Sequence, residues 1–258
     1  MDLHLDDKVV VITGGGEGIG GAITLQLARE GAVPVILGRD ELQPGFEREL
    51  RALAPRFRFF QLDLRDEAAC TAAVQATVAE LGGIDALVNN AGINDGVGLA
   101  AGTQAFRQSL EANLVHAYLL AHLCAESIKA RRGTIVNVSS KTALTGQGDT
   151  SGYVAAKGAL LGLTREWAVS LAPHGVRVNA VLPAEVMTPM YRRWLQSRPD
   201  PEAAARTIAD RIPLGHRMTT DAEIADLVVF LISDRSSHTT GQWLHPDGGY
   251  VHLDRALG

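Results

Sequence analysis

Short apolar runs alternate along this chain with longer stretches in which apolar residues recur at helical spacing. The runs are rich in β-branched residues and bounded by Gly, Asn, Asp or Pro, which is typical of buried strands. They predict strands at residues 9–12, 33–37, 57–60, 86–88, 134–138, 176–181 and, near the end, 242–245. The stretches between them predict helices at residues 20–30, 41–53, 67–81, 103–130, 152–172 and 221–233. Such alternation indicates a parallel sheet covered on both faces.

The 258 residues contain no repeat and no low-complexity linker. We therefore expect a single α/β domain over residues 1–258, a doubly wound parallel sheet of about seven strands with helices on both faces. A substrate lid is predicted around residues 186–212, and the Pro-rich, charged stretch 197–202 inside it is the best candidate for a mobile insertion.

Composition and charge then exclude several classes. A net charge of −5 without a basic run argues against a nucleic-acid partner. The apolar stretches fall far short of the roughly 18 residues of a membrane span, so we expect no membrane association. The acidic start is unlike a secretory or mitochondrial presequence, which predicts a cytoplasmic protein. Cys70 and Cys124 lie far apart without metal-ligand spacing, so we expect reduced packing thiols and no metal.

A glycine-rich loop, TGGGEGIG at residues 13–20, follows the first strand and opens a helix. Glycines allow a backbone to approach a pyrophosphate, and a helix N-terminus offers free N–H groups to it. Two registers are possible, in that Gly16, Gly18 and Gly21 match G-x-G-x-x-G, and Gly14, Gly18 and Gly20 match T-G-x-x-x-G-x-G. We prefer the second because Thr-Gly follows the strand directly. The loop predicts a dinucleotide site.

The end of the second strand should meet the adenosine ribose of that dinucleotide. Arg39 stands where an acid would bind both ribose hydroxyls, and an arginine there would pair with a 2′-phosphate, so we favour NADP. The alternative places Asp40 on the ribose and leaves Arg39 solvated, which predicts NAD. Asp63, just past the third strand, would accept from the adenine amino group or serve as an ordinary helix N-cap.

Tyr153 and Lys157 stand four residues apart in a helical pattern, on one face. We expect the lysine ammonium and an oxidised nicotinamide to lower the phenol pKa from about 10 toward neutrality, where acid–base catalysis is efficient. Ser139 and Ser140 follow the fifth strand, at the edge where such sheets bind ligands. A serine hydroxyl there can hold the substrate oxygen. Asn113 lies inside a helical stretch, where it would bond a water linking Lys157 to solvent or be a satisfied core amide.

Together these residues resemble the short-chain dehydrogenase/reductase family over nearly the whole chain. The matching motifs are Thr13-Gly14, Gly18-Ile19-Gly20, Asp63-Leu64, Asn89-Asn90-Ala91-Gly92, Asn113, Ser140, Tyr153-Val154-Ala155-Ala156-Lys157 and Asp247-Gly248-Gly249. Ser140 lies 13 residues before Tyr153, the spacing typical of the family, so we choose it over Ser139.

The resemblance implies a Rossmann-type fold, a catalytic tetrad and a homotetramer, or sometimes a dimer, packed through two long central helices. The implied tetrad is Asn113, Ser140, Tyr153 and Lys157. The implied cofactor contacts include Ile19, Asn90, Ala91, Gly92, Val186 and Thr188, besides Gly14, Gly18, Gly20, Asp63, Leu64, Tyr153 and Lys157.

One departure concerns the substrate pocket. After the sixth strand the family usually has Pro-Gly, but here Pro183-Ala184 is followed by Glu185, which brings a charge to the pocket floor. Sugar recognition needs such groups, and the polar candidates, besides Ser140 and Tyr153, are Asn94, Asp95, Lys141, Gln147 and Glu185. Met190 and Trp194, with Met187 and Tyr191, would add apolar contacts in the lid. The alternative is that Asp95, Lys141 and Glu185 are solvated loop charges.

At a finer level the chain resembles the bacterial L-fucose dehydrogenases of this family. The matching segments are residues 139–148, 183–189, 238–243 and 252–257. The implied reaction oxidises the anomeric hydroxyl of L-fucose or a related aldose to the lactone, with hydride transfer to NADP or NAD.

Two other functions remain open. One is an NADP-dependent reductase of an apolar carbonyl, a hydroxysteroid or 3-oxoacyl thioester; the thioester would dock on Arg192, Arg193 and Arg198. The other is a non-catalytic dinucleotide sensor.

Overall fold

The computed structural model describes residues 2–253, in which seven parallel strands form one sheet in the order β3-β2-β1-β4-β5-β6-β7. The strands are β1 (Val9–Thr13), β2 (Val33–Gly38), β3 (Arg58–Gln61), β4 (Ala86–Asn89), β5 (Thr134–Val138), β6 (Arg177–Val181) and β7 (Trp243–Leu244). The strand order reverses between β1 and β4, because the chain crosses from one half of the sheet to the other there. This is the predicted single-domain, doubly wound, Rossmann-type sheet, and the prediction is confirmed.

Helices connect the strands and cover both faces of the sheet. They are α1 (Gly18–Arg29), α2 (Pro44–Leu53), α3 (Glu67–Leu81), α4 (Gly102–Leu110), α5 (His116–Arg131), α6 (Thr142–Thr145), α7 (Ser151–Leu171), α8 (Pro189–Gln196), α9 (Pro201–Ala209) and α10 (Asp221–Ile232). The predicted helix 103–130 is interrupted, since a π-helical segment at Glu111–Val115 separates α4 from α5. In the region predicted to be a lid, α8 and α9 flank a short connection at residues 197–200.

The core lies in two layers, one on each face of the sheet. Successive residues of β1 point to opposite faces, so Val10 and Ile12 pack in the layer formed with α1 and α10. Val9 and Val11 pack in the other layer, formed with α3 and α5. Because both faces are buried, the strands are continuous apolar runs, which is why the hydrophobic pattern located them.

The two cysteines belong to the second of these layers. Cys70 and Cys124 are free and buried, and burial raises the pKa of the Cys124 thiol to about 12. Both therefore act as packing groups in this structure. Within residues 2–253, no helix is long and apolar enough to cross a membrane.

Candidate active site

The glycine loop lies at the carboxyl end of β1, beside the point where the strand order reverses. Gly14 and Gly18 adopt φ of +64° and +55°, which side chains disfavour. A Cβ on Gly20 would lie 2.1 Å from the carbonyl oxygen of Gly14, so only glycine fits there. A Cβ on Gly21 would meet nothing closer than 3.4 Å. The backbone thus requires the glycines of the preferred register.

The same loop is tied to the end of β4 through Thr13. Its Oγ1 accepts hydrogen bonds from the backbone N–H groups of Asn90 and Ala91, both at 2.9 Å. Glu17, the residue before α1, makes no side-chain hydrogen bond to the first turn of that helix. The first N–H groups of α1 are therefore left without a side-chain cap, which suits an anionic group. These features fit the pyrophosphate of a dinucleotide.

The predicted adenosine end is exposed and does not discriminate between the two cofactors. Arg39 pairs with Asp40 at 3.3 Å, and the two side chains are 74% and 83% exposed. Asp63 accepts hydrogen bonds from the backbone and guanidinium of Arg65, and these lower the Asp63 pKa to about 2. Asp66, not Asp63, caps α3, because its carboxylate accepts from Ala69 N–H at 3.0 Å. The N-cap alternative for Asp63 is thus wrong.

Ser140, Tyr153 and Lys157 meet between the end of β5 and the start of α7; we call them the tyrosine centre. The Ser140 hydroxyl faces the Tyr153 phenol, whose pKa it acts to lower, and it accepts the Thr142 backbone N–H at 3.2 Å. Ser139 instead donates to the backbone carbonyl of Lys157 at 2.7 Å. The structure therefore places Ser140, and not its neighbour, against the tyrosine.

The expected direction of the Tyr153 pKa shift is reversed in this structure. Burial raises the pKa of the phenol and outweighs the opposing hydrogen bond with Ser140. Lys157 is only 3% exposed, and burial lowers its pKa to about 8. Its ammonium lies 5.7 Å from the centre of the Tyr153 ring and donates to the Val138 carbonyl at 2.8 Å. The difference from the expected direction is caused by desolvation, which disfavours the charged phenolate.

Asn113 lies in the π-helical segment, fully buried. Its Oδ1 accepts the Ile93 N–H at 2.7 Å and its Nδ2 donates to the Ser109 carbonyl at 3.0 Å. A Cβ on Gly92 would lie 3.0 Å from the Lys157 ammonium and 3.1 Å from Asn113 Oδ1, so both polar atoms approach one point. The amide is satisfied by protein groups, and it also lies beside the tyrosine centre.

A second group of side chains surrounds an ion pair next to Ser140. The Lys141 ammonium pairs with Oε1 of Glu185, and both side chains are largely buried, with exposures of 12% and 13%. Oε2 of Glu185 accepts the Tyr191 hydroxyl at 2.6 Å, and the Lys141 ammonium lies 4.0 Å from the centre of the Tyr250 ring. We call these four residues the ion-pair cluster. Lys141 and Glu185 are thus not solvated loop charges.

The remaining predicted substrate residues lie at the surface. Asn94, Asp95 and Gln147 are exposed, and the Asn94 side chain accepts only a distant N–H of Gly96, at 3.4 Å. Met190 and Trp194 of α8 are 51% and 41% exposed. The Trp194 ring lies 5.2 Å from the Tyr191 ring, centre to centre. Among residues 2–253, none of the five forms a side-chain hydrogen bond with the tyrosine centre.

Three of the predicted cofactor residues lie elsewhere around the site. Val186 is buried and bridges to Thr219, and Leu64 packs against the second core layer. Thr188 caps α8 by accepting the Tyr191 N–H at 3.1 Å, and its side chain lies 3.6 Å from where a Gly18 Cβ would be. Thr188 therefore links the glycine loop to the predicted lid.

Sequence reasoning missed Tyr250 and Arg65, and it treated Tyr191 only as an apolar lid residue. Tyr250 directly follows the Asp247-Gly248-Gly249 motif, which was the available signal. Arg65 lies two residues after Asp63 and pairs with it, a spacing the sequence does show.

Comparisons with known proteins agree with this geometry. A family model described as Enoyl-(Acyl carrier protein) reductase matches residues 14–251. L-fucose dehydrogenase of Bos taurus is 38% identical, covering 100% of this chain and 95% of that protein. The 3-oxoacyl-[acyl-carrier-protein] reductase FabG of Thermotoga maritima is 36% identical, covering 96% and 100%.

Solved structures show the same likeness. The crystal structure of Cj0485 dehydrogenase superposes with a TM-score of 0.98 at 48% identity, covering 100% of this chain and 99% of that one. L-sorbose reductase from Gluconobacter frateurii, complexed with NADPH and L-sorbose, has a TM-score of 0.89 at 27% identity, covering 98% and 100%. A 3-ketoacyl reductase from Brucella melitensis, complexed with NADH, has a TM-score of 0.84 at 30% identity, covering 96% and 99%.

The predicted resemblance is confirmed, and the cofactor class follows from it, although the choice between the two dinucleotides does not. The chain belongs to the short-chain dehydrogenase/reductase family and is an NAD(P)-dependent oxidoreductase acting on a CH–OH group.

Proposed function

We propose that the protein oxidises the anomeric hydroxyl of L-fucose, or of an aldose with similar C2–C4 stereochemistry such as L-galactose or D-arabinose, to the lactone. The ion-pair cluster is the observation that carries this proposal. Lys141 directly follows Ser140, and Glu185 follows β6, so a largely buried donor and acceptor stand on the segments that border the tyrosine centre. Neighbouring ring hydroxyls need such paired groups, and a site built from them discriminates strongly. The Bos taurus relative named L-fucose dehydrogenase adds support.

The tyrosine centre performs the proton transfer in this proposal. Ser140 holds the C1 oxygen of the sugar while Tyr153 accepts the C1 hydroxyl proton as general base. The dinucleotide, when bound, accepts the hydride and supplies a positive ring that favours the phenolate. Lys157 favours the phenolate through its charge, and Asn113 holds a water that leads the proton from Lys157 to solvent.

We propose NADP as the preferred dinucleotide, with NAD as the alternative. Arg39 would exchange its partner Asp40 for the 2′-phosphate, a rearrangement open to an exposed pair. The cofactor contacts we propose are Gly14, Gly18, Ile19, Gly20, Arg39, Asp63, Leu64, Asn90, Ala91, Gly92, Tyr153, Lys157, Val186 and Thr188. The polar substrate contacts we propose are Asn94, Asp95, Ser140, Lys141, Gln147, Tyr153 and Glu185, with Met190 and Trp194 as apolar contacts.

The proposal is tested by measuring kcat/KM for aldoses, hydroxysteroids and oxoacyl thioesters with both dinucleotides, at the reduced-nicotinamide absorbance. We expect L-fucose with NADP to give the highest value, and the lactone to appear as the product. A steroid or thioester as the best substrate would contradict the sugar assignment. Failure of every substrate, with dinucleotide binding intact, would favour the sensor.

Reduction of a 3-oxoacyl thioester is the second candidate, because the Thermotoga maritima relative is almost as similar as the Bos taurus one. Arg192, Arg193 and Arg198 are exposed on or just after α8, where they would dock an acidic carrier. However, Arg193 already faces Glu17 at 3.7 Å, and Arg198 covers the Trp194 ring at 4.2 Å. The exposed Arg193–Glu17 pair can exchange partners as Arg39 can, so it is the ion-pair cluster that favours the sugar over the thioester.

We also propose a homotetramer, packed through α5 and α7. In a single chain, the outer faces of these helices expose apolar side chains to solvent: Tyr118 is 57% exposed and Val169 is 74% exposed. Light scattering should give about four times the 27.4 kDa mass of the chain. A monomer would contradict this assembly.

A further inference from the structure

The ion-pair cluster has hydrogen-bonding capacity that its own members do not use. An ammonium has three donors; the Lys141 ammonium directs one to Glu185 and faces the Tyr250 ring with its charge. A carboxylate has about four acceptor sites, and Glu185 uses one for Lys141 and one for Tyr191. The cluster can therefore both donate to a ligand and accept from it.

The cluster also has a formal charge of zero. Lys141 and Glu185 cancel each other, and burial together with the Glu185 carboxylate raises the pKa of the Tyr191 hydroxyl, which stays neutral. Arg198, whose charge acts on the Tyr191 hydroxyl, is exposed and lies 4.2 Å from the centre of the Trp194 ring, so solvent screens it. An ion that entered beside the pair would lose its hydration without gaining a free countercharge.

We propose that the Lys141–Glu185 pair is a charge filter, which admits uncharged polyols and excludes the corresponding sugar acids and amino sugars. This inference rests on the proposed sugar dehydrogenase function. A lone lysine at this place would attract carboxylates, and a lone glutamate would attract ammonium groups. The pairing of the two leaves Lys141 and Glu185 to recognise a ligand by hydrogen bonds and without a net charge.

The wild-type protein tests the filter first, with ligands of one configuration that differ in charge. L-Fucose, L-galacturonate and 2-amino-2,6-dideoxy-L-galactose would be compared as substrates, and as competitors of L-fucose oxidation. We expect KM or Ki for both charged sugars to exceed the L-fucose value by about tenfold or more, which corresponds to about 1.4 kcal/mol. Binding of the galacturonate within about twofold of L-fucose would overturn the proposal.

Single variants should then change the charge selectivity in opposite directions, one toward the sugar acid and the other toward the amino sugar. Glu185→Gln keeps the size of the side chain and an acceptor for Tyr191, but leaves Lys141 without a countercharge. The galacturonate-to-fucose ratio of kcat/KM should rise by about tenfold. Lys141→Met should raise the ratio for the amino sugar by a similar factor. The double variant, which removes both charges, should prefer neither ion.

A matched control is available on α9, where Glu202 forms an exposed pair with Arg206. Glu202→Gln should leave all three ratios unchanged. If a single variant proves unfolded by circular dichroism, the wild-type comparison and the double variant still decide the outcome. Oxidation of L-fucose with equal oxidation of the charged sugars would refute the filter alone, whereas no oxidation of any sugar would refute the proposed function as well.

Discussion

The tyrosine centre and the ion-pair cluster are joined by one peptide bond, between Ser140 and Lys141, yet they are held in different ways. In the tyrosine centre, Lys157 bonds the carbonyl of Val138 in β5, and Ser139 bonds the carbonyl of Lys157 in α7. Strand and helix thereby position the phenol through main-chain contacts. In the ion-pair cluster, Glu185 and Tyr191 lie on the segment after β6 and on α8. The charged and hydroxyl groups of Lys141, Glu185 and Tyr191 are held by one another's side chains.

The comparison teaches how one fold can keep its chemistry while its substrate changes. Groups anchored to a strand and a long helix hold their geometry when neighbouring side chains vary. Groups on loops and an eight-residue helix can be exchanged with little effect on the sheet. We therefore expect substitutions in the tyrosine centre to reduce kcat, and substitutions in the ion-pair cluster to change KM and selectivity.

The largest effect should come from Tyr153→Phe. Loss of the proton-transferring hydroxyl should reduce kcat by about a hundred- to ten-thousandfold, because general acid–base catalysis contributes that much. Dinucleotide binding, measured by calorimetry, should persist. Tyr118→Phe on α5 is the matched control, because it removes a phenol hydroxyl outside the tyrosine centre and keeps the ring at the proposed tetramer contact; it should retain full activity. Full activity in Tyr153→Phe would show that Tyr153 does not transfer the proton, and would remove the contrast between the two regions.

Lys157→Met should change the pH dependence of stability. Burial lowers the Lys157 pKa from 10.5 to about 8, so the unfolded chain binds more protons than the folded one between these pH values. Because of this group, the free energy of unfolding of the wild type should therefore rise by up to about 3 kcal/mol between pH 8 and 10.5. Below pH 8 the full cost of burying the charge is present.

The Met variant should lack that rise, as measured by urea unfolding at both ends of the window. Lys129→Met, a change on the outer side of α5, serves as the control and should follow the wild-type profile. An identical pH profile in wild type and Lys157→Met would show that the charge is not buried, which would remove the contrast between the two regions.

Tyr191→Phe tests the other side of the comparison. The change removes the hydroxyl that donates a hydrogen bond to Oε2 of Glu185. The carboxylate then keeps Lys141 but loses the second group that holds it in place. We expect KM for L-fucose to rise by up to about tenfold, the equivalent of about 1.4 kcal/mol, with kcat little changed. A fall in kcat without a change in KM would place Tyr191 with the tyrosine centre instead.

The smallest effect should come from Arg39→Asp. Arg39 lies outside both regions, so the effect of this change is the reference for the effects within them. Because Arg39 is exposed and its pairing is screened, the shift of kcat/KM from NADP toward NAD should be about fivefold. The ratio of the two dinucleotides gives the measurement. Arg56→Asp, at an exposed pair with Asp7, is the control and should leave the ratio unchanged.

The sequence predicted the sheet well because its strands are buried on both faces and read as continuous apolar runs. The predicted strand 134–138 and helix 67–81 coincide with β5 and α3. The interruption at Glu111–Val115 was not predicted, since one wider turn changes the apolar spacing too little over five residues. In the sequence, Asn113 falls inside a predicted helix, where an amide side chain is unfavourable. That unfavourable residue was a sign of the π-helical turn.

By itself, the sequence determined the order of strands and helices, the glycines that the first loop requires, and the spacing of Tyr153 and Lys157 on one helix face. These depend on local backbone geometry, which residue type and spacing control directly. Only the tertiary structure decided the direction in which burial shifts the pKa of Tyr153 and Lys157, and the pairing of Lys141 with Glu185. Those outcomes depend on desolvation and on contacts between distant segments, which exist only once the sheet has brought the ends of β5 and β6 together.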